Sequence, residues 1–165
     1  MEIKKQYENY LTTHFSTGHK IKFDKSEYEK YYRYFKKNYE NYLPEKKDSL
    51  ILDLGCGTGH FLYYLKKQKY SNYIGVDFGK QAIEFCKKNN MAPRIINSEV
   101  SDFLKKSKQQ FDAIIFNDII EHIPKKELIP LLKLMKTKLN NSGVLLIKTP
   151  NLSNPITAGS SRYID

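Results

Sequence analysis

Residues 51–62 read ILDLGCGTGHFL, and this stretch decides the fold. Leu50 to Leu54 is a short apolar run interrupted only by Asp53, the pattern of a strand buried on both faces. Gly55, Gly57 and Gly59 follow at alternate positions, and Phe61 to Lys67 then reads as a helix. Glycines so placed let backbone approach a ligand without a Cβ clash and permit unusual φ/ψ. The dinucleotide fingerprint G-x-G-x-x-G would need a glycine where His60 stands. The tighter spacing, with an acid two residues before the first glycine, suits a ligand without pyrophosphate. Asp53 would then meet a cationic or amine-bearing group.

Working outward, the same grammar repeats. Tyr73 to Val76 is a second strand ending at Asp77, which is placed to accept hydrogen bonds from both hydroxyls of a ribose. Gln81 to Asn89 predicts a helix with Ala82, Phe85 and Cys86 inward. Residues 94–96 form a weaker strand, Val100 to Lys105 a short helix, and Phe111 to Phe116 the strongest strand. Lys125 to Leu139 is an amphipathic helix carrying Leu128, Leu131, Leu132 and Met135, and residues 143–149 make a fifth strand. Strands alternating with helices imply an α/β fold, a doubly wound, Rossmann-like and mostly parallel sheet of about five strands. Such sheets bind ligands at the carboxyl ends of their strands, where the winding reverses.

Residues 1–47 differ: they form a polar, Tyr-rich N-terminal helical cap or lid segment before the core of 48–151 and a tail of 152–165. Residues 12–19 read as a loop. Tyr28, Tyr31, Tyr32, Tyr34, Phe35, Tyr39 and Tyr42 fall at helical spacings, Asp24 or Ser26 is a candidate cap, and Pro44 ends the run. This aromatic stripe either packs on the core or covers a ligand, and the two roles are compatible.

Composition sets the limits. The 165 residues are 40% hydrophobic, enough for one domain with its own core. No apolar stretch approaches the ~20 residues of a membrane span, and MEIKKQYENY lacks an apolar signal core, so a cytoplasmic protein is expected. Two cysteines, Cys56 and Cys86, exclude a disulfide scaffold and a cysteine metal cluster. The formal charge of +10 comes mostly from lysine, with Arg33, Arg94 and Arg162 the exceptions. The lysines lie in pairs along the whole chain, as on a solvated surface. A phosphorylated or uronic acceptor is the sharper reading; no nucleic-acid motif accompanies the charge, so no nucleic-acid partner is expected.

Together these stretches resemble class I S-adenosylmethionine-dependent methyltransferases. ILDLGCGTGHFL looks like their first motif, YIGVDFGKQAIEFCKKN their second, FDAIIFNDIIEHIP the segment around strand four, and LNNSGVLLIKTPN the turn and strand after it; the match covers residues 50 to about 152. The resemblance implies the strand order 3-2-1-4-5 and S-adenosyl-L-methionine as cofactor, with S-adenosyl-L-homocysteine as product. It implies that Gly55, Cys56 and Gly57 line the methionine portion and that Asp53 acts near its amine. Asp77 would hold the ribose hydroxyls, with Phe78 against the adenine. Ser98, Glu99 and Val100 match the place where the family grips the adenine edge; Ser98 replaces a frequent acid, which leaves Val100's backbone for the contact. Asn117 matches the residue that ends strand four beside the methionine group. Cys56 reads as a small residue rather than a nucleophile.

The acceptor is harder to read. An alcohol needs its proton removed as it attacks, and His122, just beyond strand four, is the candidate catalytic base. Asp118, Glu121 and His122 share one loop, a grouping common without metal, so no metal site is expected. Asn117-Asp118-Ile119-Ile120 departs from the Asn/Asp-Pro-Pro-aromatic motif of enzymes that methylate amide or base nitrogens. The closing stretch, 148–165, resembles a branch from bacterial surface-polysaccharide clusters, which implies O-methylation of a sugar or sugar-nucleotide hydroxyl in polysaccharide biosynthesis. Alternatives are a quinone-like small-molecule methyltransferase, a non-catalytic cofactor-binding fragment and a nucleotide-binding oxidoreductase. The family sheet has seven strands. Five candidates here imply a chain without the last two, with an open edge at strand five for a homodimer partner or swapped segment to cover.

Overall fold

The computed structural model describes residues 22–150. Helix α1 (Lys25–Tyr39) comes first and passes into a 3-10 turn, Glu40–Tyr42. Then follow β1 (Ile51–Leu54), α2 (His60–Lys67), β2 (Tyr73–Asp77), α3 (Lys80–Lys88), β3 (Arg94–Asn97), α4 (Val100–Lys106), β4 (Phe111–Asn117), a 3-10 turn (Ile120–His122), α5 (Lys125–Thr137) and β5 (Leu139–Lys148). The five strands form one sheet in the order β3-β2-β1-β4-β5, every pair parallel. The winding reverses between β1 and β4, which opens a crevice at the carboxyl ends of those two strands.

Burial explains the central strands. Every residue of β1 and β2 is buried, because helices cover both faces. Side chains alternate between two cores. Ile51, Tyr73, Ala113 and Ile115 pack with the aromatics of α1 and α2; Leu52, Leu54, Ile74, Val76, Ile114 and Phe116 pack with Leu104 of α4 and Leu131 and Met135 of α5.

Helix α1 is an integral part of the first core. Asp24 caps it, accepting from the Ser26 backbone N at 2.8 Å. Tyr28, Phe35 and Tyr39, spaced by seven and four, form its buried stripe. The Phe35 ring stands edge-on to Phe61 of α2 at 5.0 Å, and Tyr39 lies 5.6 Å from Phe61. At the rim, Tyr63 and Lys67 of α2 both donate to Glu29.

Helix α5 stops earlier than its apolar pattern implies. Leu139 does not extend the helix; it pairs with Phe111, and the Phe111 N–H donates to Lys138 O at 2.7 Å. Strand β5 thus begins at Leu139 rather than at 143, with an irregular register between Phe111 and Ala113. A Cβ on Gly143 would lie 2.7 Å from Phe111 O, so only glycine fits the close approach at this irregularity. Among the described residues β5 pairs with β4 alone. No described helix is long and apolar enough to cross a membrane. The expected loop at 12–19 and the tail at 152–165 lie outside the described residues.

Docking of α1 has a measurable consequence. Phe35→Ala should cost about 3–5 kcal/mol in urea unfolding, whereas Tyr42→Ala, at a residue 63% exposed, should stay within about 0.5 kcal/mol of the wild type. Equal effects would contradict a helix built into the core.

Candidate functional site

Each glycine of the turn after β1 has a left-handed backbone: φ is +70° at Gly55, +50° at Gly57 and +88° at Gly59. The positive φ demands glycine at Gly55, and a Cβ there would also have to displace Ile119 Cδ1 of the loop after β4, 1.6 Å away. The N–H groups of Gly55 and Cys56 donate to Val76 O at 2.7 and 3.0 Å, which ties the turn to β2.

Asp77 completes the tie. Its Oδ2 accepts from Gly57 N at 2.9 Å and its Oδ1 from Gly79 N at 2.7 Å. Burial raises its pKa, and the backbone N–H groups of Gly79, Gly57 and Phe78 oppose that rise. A carboxylate oxygen accepts more than one hydrogen bond, so Asp77 keeps capacity for ribose hydroxyls. Asn97 braces the same corner by donating to Asp77 O and Phe78 O.

Asp53 is the opposite case. It is 2% exposed, and its Oδ2 is buried without a hydrogen-bond donor. Burial, then the neighbouring negative charge of Asp77, pushes its pKa up to about 8. A carboxyl left without a donor at the end of a central strand is costly unless a cation or ammonium group meets it.

These groups share one cavity of about 880 Å³, near the upper end for small-molecule sites. Asp53, Gly55, Cys56, Gly57, Asp77, Phe78, Glu99, Val100, Asn117 and His122 all line it. Ser98 does not: its hydroxyl turns back to Glu99 O, and its backbone N–H donates to Asp77 O. The Cys56 thiol is buried and pushed up by its contact with Cys86 and by desolvation, which keeps it protonated and unreactive. His122 ends the 3-10 turn after β4, and burial lowers its pKa, favouring the neutral imidazole. Nearby, Lys148 is ion-paired with Asp118, and Thr149 donates to Glu121.

The roof of the cavity was only half visible in the sequence. Tyr31 and Phe35 of α1 line it. Tyr28 donates to Thr58 O in the glycine turn at 2.7 Å, and Tyr39 donates to Asn117 Oδ1 at 2.7 Å. Helix α1 is therefore fastened to both β1 and β4 sides of the crevice. His60, between Tyr28 and Tyr31, also lines the cavity and had no signal beyond its place after Gly59.

A methyltransferase domain family model matches residues 45–163, nearly three quarters of the chain. The chain belongs to this family. The methyltransferase domain is 32% identical over 77 residues to a ribosomal protein L11 methyltransferase of Thermotoga neapolitana, covering 46% of this chain and 29% of that protein. It is 34% identical over 84 residues to EEF1A lysine methyltransferase 2 of Danio rerio, covering 43% and 36%. Among solved structures, an S-adenosylmethionine-dependent methyltransferase of Archaeoglobus fulgidus superimposes with a TM-score of 0.71 at 27% identity, covering 84% of this chain and 59% of that one. The chain thus spans about a third of the length of these curated relatives.

The donor set fits S-adenosylmethionine. The orphaned Asp53 carboxyl suits its ammonium group, Asp77 its ribose diol, and the glycine turn leaves room where side chains would fill the cradle.

Two opposite changes should follow from Asp53→Asn. Folded Asp53 holds a proton between its ordinary pKa near 4 and its raised value of about 8, while the unfolded chain has lost it, so wild-type stability declines across that window as pH rises. The variant should flatten this decline and be more stable than wild type at pH 8. It should also bind S-adenosylhomocysteine roughly 10- to 100-fold more weakly, through loss of a charge-assisted contact. Unfolding against pH and calorimetry measure the two; an unchanged affinity would remove Asp53 from the site.

Proposed function

We propose that this chain is a methyltransferase that uses S-adenosyl-L-methionine to methylate a hydroxyl of a sugar or sugar nucleotide. The observation that carries the cofactor assignment is the buried, donorless carboxyl of Asp53 in the same cavity as the Asp77-clamped glycine turn. The cofactor supplies a methyl group made electrophilic by its sulfonium. The chain's own task is alignment: holding the acceptor oxygen in line with that methyl lowers the barrier by about 7–11 kcal/mol in well-oriented systems. Glu99, Val100 and Phe78, all in the cavity wall, would serve the adenine, and Asn117, also in the wall, would stand beside the methionine group. His122 takes the acceptor proton, a role suited to a half-buried imidazole kept neutral by desolvation.

Three features favour a carbohydrate oxygen. Strand four lacks the Pro-Pro-aromatic signature of base and amide N-methylation. The wall of the cavity mixes aromatic rings with polar and charged groups, among them Tyr31, His60 and Lys126. The closing residues carry the polysaccharide-cluster resemblance.

Calorimetry with S-adenosylhomocysteine, then transfer of a labelled methyl group to glycosides, sugar nucleotides, quinols and basic proteins in parallel, tests the assignment. Labelling of the carbohydrate set is expected; labelling of proteins alone would move the acceptor to the substrates for which the two curated relatives are named. His122→Ala should lower transfer by roughly 100- to 10,000-fold with S-adenosylhomocysteine affinity unchanged. Full activity in that variant would remove His122 as the base.

A further inference from the structure

His60 is an imidazole that the methyl-transfer scheme leaves unused. It opens α2, directly after Gly59, and lines the cavity. Two rings of α1 hold it: Tyr28 stacks at 4.4 Å and 29°, and Tyr31 lies at 4.2 Å and 34°. Glu27 of α1 stands behind, its Oε1 3.5 Å from Nε2. Nε2 is sealed from solvent and makes no hydrogen bond, yet 26% of the side chain is exposed. With Tyr28 and Tyr31 over its two faces and Nε2 sealed, the exposed part is the remaining edge of the ring, on which Nδ1 is the one polar atom. A proton on Nε2 is attracted by the Glu27 carboxylate, which leaves a lone pair on Nδ1. Tyr31 adds an apolar ring, 37% exposed, at the same wall of the cavity.

This pairing of a flat apolar surface with a fixed hydrogen-bond acceptor matches one ligand chemistry closely. A pyranose offers a C–H face that packs on an aromatic ring and hydroxyl groups at its edge that donate in the ring plane. An amide or hydroxyl donor alone would not need the ring.

We propose that His60, with Tyr31 beside it and Glu27 behind it, is the subsite that grips a non-reacting hydroxyl of a carbohydrate acceptor. The proposal rests on the carbohydrate reading above and supplies residues that recognise the sugar. His60 is then a binding residue, and Glu27 a positioning residue that fixes its tautomer. Desolvation lowers the His60 pKa, and Glu27, the charged group facing it, partly offsets this; Tyr28 and Tyr31 flank it without charge. The neutral, accepting form is thus the working state near neutral pH, and sugar binding weakens as pH falls through the His60 titration.

The test uses the full chain saturated with S-adenosylhomocysteine and labelled with carbon-13 and nitrogen-15 histidine. Its spectra are followed while neutral methyl glycosides of glucose, galactose, mannose and rhamnose are added. His60 should show the Nε2–H tautomer and shift with at least one glycoside. Glu27→Gln should mix the tautomers and lower the pH at which His60 titrates. His60→Phe, which keeps the ring between Tyr28 and Tyr31, should weaken glycoside binding at least fivefold with S-adenosylhomocysteine affinity within twofold. No glycoside shift at His60, an Nδ1–H tautomer, or tenfold weaker cofactor-product binding in His60→Phe would each overturn the subsite while leaving the methyltransferase reading in place. Failure of the wild-type chain to bind S-adenosylhomocysteine would instead sink that reading itself.

Discussion

A carboxyl group at the end of the central strand, shut away from water and given no donor, is the constraint around which the rest of the crevice is built. Asp53 is 2% exposed within β1, and Asp77 lies close enough to raise its pKa further. Such a group costs stability in the empty protein. That cost is sensible at a binding site, where an incoming ammonium group turns an unfavourable burial into a charge-assisted contact. A wholly structural aspartate at the same place would be expected to have acquired a partner from the chain, as Asp77 has in Gly57 and Gly79.

The two acids therefore divide the work. Asp77 spends backbone hydrogen bonds to fix the shape of the turn, and Asp53 stays unsatisfied to meet the ligand. Helix α1 closes the arrangement from above. Its hydroxyls reach Thr58 and Asn117, so the helix is joined both to the glycine turn and to the end of β4, on either side of the crevice. By accepting from Tyr39, Asn117 Oδ1 fixes the orientation of its amide, and the Nδ2 donors are the atoms left for the cavity.

The strands and the glycine turn were legible because they depend on local pattern: apolar runs for β1, β2 and β4, glycine spacing for the turn, and an acid near the ends of β1 and β2, while the strand order came from the family resemblance. What depends on contacts between distant residues was not. Tyr39 and Asn117 are separated by 78 positions, and nothing in either neighbourhood announces the bond. His60 looked like an interruption of a glycine motif, since its meaning comes from two tyrosines on another helix. Leu139 fitted the apolar stripe of α5, yet its backbone was claimed by the ladder with Phe111, where tertiary pairing outweighs helical propensity. Ser98 sits in the predicted stretch but donates its hydroxyl to the backbone carbonyl of Glu99.

The most direct measurement of the central claim is proton release on binding S-adenosylhomocysteine, read by calorimetry at pH 7 in two buffers of different ionisation enthalpy. Asp53, protonated in the empty protein because its pKa is near 8, must ionise to meet the ligand's ammonium, so about one proton should leave per molecule bound. That release should fade as the pH is raised well above 8. Binding with no proton exchange at pH 7, or no binding by the folded chain, would contradict the account.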